Sequence, residues 1–164
     1  MTDLYSNPAA LSQVLAMLTA NDTATIRQAE KILKQFTKQP NCILALLGQV
    51  RDSPEATHRH HAALLLKKKI EKHFPSVDAS VQNLIKVEII NIMKAEPVKV
   101  VSVAIAGSVS TLARSIFSVE GGNWPELFAL LMELAQSPIE QLRTLNYSLL
   151  EQVRKNPFRE SNFK

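Results

Sequence analysis

The sequence predicts an all-α protein, a right-handed α-solenoid built of about four helical hairpins. Three observations predict it. Apolar residues recur at helical spacing along almost all of the 164 residues. Glycine occurs only 4 times, and the alternating β-branched stretches that sheets need are not visible. Pro54, Pro97 and Pro138 stand 43 and 41 residues apart, each where the second helix of a pair would open. Proline suits that position, because the N–H it lacks has no partner in the first helical turn.

Taken in order, the first helix is expected at 8–20. The second, at 23–38, gathers Ile26, Ala29, Ile32, Leu33 and Phe36 on one face, with Arg27, Lys31, Lys34 and Gln35 off it. Asn21, Asp22 and Thr23 precede it as capping residues. The third helix, 40–51, follows Pro40 and carries the lone Cys42 as a small packing residue. The fourth, 55–73, opens at Pro54; on its wheel Ala63, Leu66 and Ile70 share a face opposite His61, Leu64, Lys68 and Lys72. The fifth, 77–95, follows the break Phe74-Pro75-Ser76. The sixth, 98–117, contains the nearly uncharged run VVSVAIAGSVSTLA, apolar all round and therefore expected to be buried on both sides as the central packing element. Its small residues Ala104, Ala106, Gly107 and Ser108 would let neighbouring helices approach closely. The seventh, 124–136, starts at Trp124-Pro125, and Trp124 is expected to cover the core between repeats. The eighth, 139–155, presents Leu142, Leu145, Leu149 and Leu150. Short connections make consecutive helices antiparallel, so the hairpins fall at about 8–38, 40–73, 77–117 and 123–155. Residues 156–164 are expected to be a polar tail, disordered or marking a truncation.

Composition narrows the classes. With 46% hydrophobic and 21% charged residues, the chain is not of the disordered type. Its uncharged apolar runs fall short of the ~20 residues of a membrane span. Met1 to Met17 carries Asp3 and no basic leader, unlike a secretory signal. A single cysteine fits a reducing compartment, cytoplasmic or nuclear. A net charge of +4 permits an acidic partner without demanding nucleic acid.

A helix pair repeating every 40–47 residues has the HEAT/armadillo period. The wording of the second unit is more specific. IRQAEKILKQF (26–36) is followed by HRHHAALLLKKKIEKHF (58–74). This resembles the N-terminal region of the importin-β (karyopherin-β) family, whose R-x-x-A-A-x-L-L run matches Arg59, Ala62, Ala63, Leu65 and Leu66. The triple-basic Lys67-Lys68-Lys69 and the fourth unit, with Trp124, Pro125, Leu127, Leu130 and Leu131, resemble the subgroup of importin four and importin five. The resemblance implies a nuclear transport receptor moving between cytoplasm and nucleus. Its N-terminal second helices would bind the small GTPase Ran in its GTP form. Phe-Gly nucleoporins and cargo would bind the full-length receptor. The alternative is a generic HEAT scaffold for another complex, and a third class is a basic helical reader of nucleic acid.

On that resemblance, His61, Leu64, Lys68 and Lys72 are the candidate Ran-binding residues. Arg59, Leu66, Ile70 and Trp124 are assigned structural roles, Arg59 through an acidic partner such as Asp52. His58 and His61 have ligand spacing on the helix, but Arg59 and Lys68 beside them oppose a dication, so no metal is expected. Gly121-Gly122 leads into Asn-Trp-Pro and not into a phosphate loop, and no catalytic constellation is present. No cofactor and no enzyme activity are expected.

Overall fold

The computed structural model describes residues 3–154, part of the last helix by its backbone alone. The tail at 156–164 lies outside the described residues. Eight α-helices follow one another: α1 (Pro8–Met17), α2 (Thr23–Phe36), α3 (Cys42–Asp52), α4 (Ala56–His73), α5 (Ala79–Ala95), α6 (Lys99–Phe117), α7 (Pro125–Ala135) and α8 (Glu140–Arg154). A single 3₁₀ turn, Phe74–Ser76, links α4 to α5, and no strand occurs among the described residues.

Each odd-numbered helix packs against the even-numbered helix that follows it. The first helices also stack in a row, α1 on α3, α3 on α5 and α5 on α7, while α4, α6 and α8 stack in a second row. Two parallel layers of helices joined only to their neighbours define an α-solenoid.

Local chemistry accounts for the ends. Asn7 accepts the Ala10 N–H at 3.1 Å and is followed by Pro8 in the first turn of α1. Asp22 accepts the Thr25 N–H at 2.8 Å and starts α2. After α6 the chain reverses through Gly121, at φ +76°. A side chain on Gly122 would collide with the backbone carbonyl of Ile116, so both glycines are required for the turn.

The core runs the length of the stack, from Leu11 and Leu15 through Ile43, Leu46, Leu66 and Ile70 to Ile85, Ile89, Ile105, Leu112 and Leu127. α6 is its central element. Residues 104–113 are all buried, and the Ser108 hydroxyl donates to the Ala63 carbonyl of α4 at 3.0 Å. Gly107 lies under the stem of Lys67, where a methyl group would meet Cδ at 3.1 Å. Ser110 and Thr111 return their hydroxyls to the carbonyls one turn earlier, which lets a buried helix carry them. By length and hydropathy α6 would suit a bilayer, contrary to the expectation from uncharged runs, yet 67% of its apolar window is buried inside the protein. Near its start one face is bare: Val100 and Val103, three residues apart, are 56% and 54% exposed, while Val101 between them is fully buried on the other side.

Arginines fasten two of the corners alike. Arg59 donates to the carbonyls of Ser53 at 3.0 Å and Pro54 at 3.1 Å. Arg143 donates to the carbonyl of Ser137 at 2.9 Å, the same six residues back. The acidic partner of Arg59 is not Asp52. It is Glu96, on the next corner of the stack, while Asp52 is taken by the adjacent Arg51.

Candidate partner-binding surface

α4 has one face in the core and one in solvent. Ala62, Ala63, Leu66 and Ile70 are buried, as is Phe74 just beyond. Spacings of three, four and four residues then bring His61, Leu64, Lys68 and Lys72 onto the other face. Lys68 and Lys72 are exposed and make no ion pair among the described residues. Leu64 is 39% exposed between them and His61. The surface therefore offers one apolar side chain flanked by unpaired ammonium groups and an imidazole.

The other basic residues of the helix serve different ends. Lys67 lays its stem over Gly107, and Lys69 is half-buried near Cys42. His58 places Nδ1 3.0 Å from the Ser12 hydroxyl of α1, and buried His73 donates Nε2–H to the Thr37 carbonyl at 2.9 Å. His61 is half-buried with its Nδ1 shielded and unpartnered. Burial holds its pKa below the usual 6.5, and the neighbouring His60 and His58 add to the effect. Three His, Cys, Asp or Glu side chains never converge among the described residues.

One exposed apolar pair escaped the sequence argument. This pair, Val100 and Val103, stands on α6, which packs beside α4 with Ser108 on Ala63. Their spacing, next to Lys99 at a helix start, was the available signal. α2 separately carries exposed Arg27, Lys31 and Lys34, off its buried face as its wheel predicts. On the other side of the stack, Trp124 is fully buried at the start of α7 and Cys42 at the start of α3. Burial pushes the Cys42 thiol up to about 11. At the far end Leu149 is buried and Leu150 is 43% exposed, while the side chains of Leu142 and Leu145 lie outside the described residues.

The geometry is that of a HEAT-type helical solenoid with a mixed basic and apolar face on α4. Residues 29–95 match the importin-beta N-terminal domain. The chain is 30% identical over 148 residues to a probable importin subunit beta-4 of Schizosaccharomyces pombe, covering 87% of this chain and 14% of that protein. Among solved structures it resembles Kap121p bound to RanGTP, with a TM-score of 0.75 at 19% identity over 88% of this chain and 14% of the other. Kap121p bound to Ste12p is similar over 94% of this chain and 15% of the other, with a TM-score of 0.77 at 18% identity. The chain thus spans about one-seventh of the length of the relatives it matches. It belongs to the importin-β family.

Proposed function

We propose that the chain is part of a nuclear transport receptor that binds Ran in its GTP form and takes part in nuclear protein import. The observation that carries this is the α4 face: His61, Leu64, Lys68 and Lys72 stand together, with both lysines exposed and unpaired. Such a surface suits an acidic partner with an apolar anchor, and it lies within the stretch matching the importin-beta N-terminal domain. Kap121p, a fold relative, has been solved bound to RanGTP and to Nup53p. We infer the same classes of partner here: Ran, Phe-Gly nucleoporins and cargo, the last two through the longer receptor. Neither a membrane nor nucleic acid is a partner in this reading, no catalysis is assigned, and the protein shuttles between cytoplasm and nucleus.

Capture by immobilised Ran loaded with GTP or GDP tests it. Preference for the GTP form is expected, with loss of capture in the Lys68→Glu, Lys72→Glu double variant. Equal capture of both forms, or none at micromolar concentrations, would overturn it in favour of a HEAT scaffold for another complex.

A further inference from the structure

The first hairpin carries a groove of about 790 Å³ on the side of α1 and α2 turned away from the rest of the stack. α1 directs Ser12 at His58 of α4, so at 100° per residue Ala10 and Val14 lie on the opposite face, toward the groove, with Gln13 at its edge. The floor is apolar, made by Leu4, Val14, Ile32 and Phe36. One wall is the turn before α1, and it is firmly attached. The Tyr5 hydroxyl donates to the Phe36 carbonyl at 2.8 Å, and its ring stacks on Phe36 with centroids 5.0 Å apart.

The rim is polar in a particular way. Gln13, Gln35 and Gln39 surround the floor with amides that carry both donors and acceptors, the Gln35 Oε1 already accepting from Lys38 Nζ at 2.7 Å. Amides so placed can pair with successive peptide units of an extended chain, while an apolar floor receives its alternate side chains. The charge is also one-sided. Lys31 and Lys38 line the groove against Asp3, and along α2 Arg27 and Lys34 outnumber the exposed Glu30 between them.

We propose that this groove binds a short, extended, acidic segment of a partner protein, seated by one or two apolar side chains. The site is separate from the α4 face, and its occupant is independent of Ran.

The test is fluorescence anisotropy of the whole chain with a labelled peptide Asp-Glu-Leu-Asp-Phe-Asp-Glu and its charge-reversed counterpart Lys-Arg-Leu-Lys-Phe-Lys-Arg. The acidic probe should bind at least about tenfold more tightly, as expected when rim charges select the partner. Lys31→Glu with Lys38→Glu should remove that preference, and Ala10→Phe, which fills the groove, should abolish binding. Lys68→Glu with Lys72→Glu should leave the probe bound, which separates this site from the proposed Ran surface. Equal affinity for both probes, binding unaffected by Ala10→Phe, or sedimentation showing a dimer that Ala10→Phe dissociates would each overturn the proposal, the last by making a second copy the occupant.

Discussion

Arg59 grips Glu96 in a two-pronged ion pair across adjacent repeats, Nε to Oε2 at 2.9 Å and Nη2 to Oε1 at 3.1 Å. The side chains are only 12% and 3% exposed, and Glu96 also accepts the Val98 N–H at 2.9 Å, where α6 begins. The bond to Glu96 raises the Arg59 pKa further above its ordinary value. Removing one member strands the other in a dry setting, which costs far more than a surface pair is worth.

Glu96→Ala should therefore destabilise the chain by about 3 kcal/mol. Arg59→Lys should recover little of an equivalent loss, since a lysine cannot make the planar double contact. Urea unfolding followed by circular dichroism measures both. A change below about 0.5 kcal/mol, the level of an ordinary surface substitution, would show the pair to be ornamental.

The α4 wheel separates binding from folding. Lys68→Glu with Lys72→Glu should leave the melting temperature nearly unchanged, because exposed charges shift stability by only about 0.5 kcal/mol. Ran-GTP capture should weaken several-fold, with a changed salt dependence. Leu66→Ala, in the core, should instead cost roughly 2–5 kcal/mol. Differential scanning calorimetry beside the capture assay distinguishes the two classes.

Acid should loosen the start of α4. His61 has its folded-state pKa held below 6.5 by burial and by His60 and His58, so the neutral ring is the one the fold accommodates. Its contribution is present above the unfolded value and lost as pH falls through the folded one. Unfolding midpoints measured from pH 7.5 to 5 should fall, and His61→Gln should flatten the slope. An unaltered slope in the variant would assign the acid response to other groups.

Cys42 should be inert in the native protein. Burial places its thiol pKa at about 11, so little nucleophilic thiolate forms at pH 8. Iodoacetamide should modify it only in denaturant, as read by mass spectrometry. The sign for stability is the reverse of that for His61: the unfolded thiol ionises first, so stability declines as pH rises from about 9 towards 11. Cys42→Ala should remove that decline.

Helices were legible in the sequence because each signal is local. Ile26, Ala29, Leu33 and Phe36 state their own period, Asp22 caps three residues ahead, and Pro54, Pro97 and Pro138 mark the same corner in successive units. What depends on the stacking was not legible. Asp52 was the nearby acid for Arg59, yet the true partner lies 37 residues on, because stacking brings one unit's arginine to the next unit's corner. Val100 and Val103 belong to an apolar run and are nonetheless exposed, since only the stacking decides which face of a helix its neighbours cover. The groove on the first hairpin was hidden for the same reason. It exists because Tyr5, outside any periodic segment, reaches Phe36 at the end of α2.

Arg59 does more than close its own corner. The same guanidinium that ties the Ser53 and Pro54 carbonyls also holds Glu96, whereas the third unit has Ser102 where the second and fourth have Arg59 and Arg143. The third unit thus borrows its fastening from the second. In a solenoid whose stability is a chain of nearest-neighbour terms, one side chain that enters two of them makes a stiff joint. Bending of the superhelix would then gather away from α4 and α6. Units two and three should move and unfold as one block, a rigid plate against which the rest of the spring flexes.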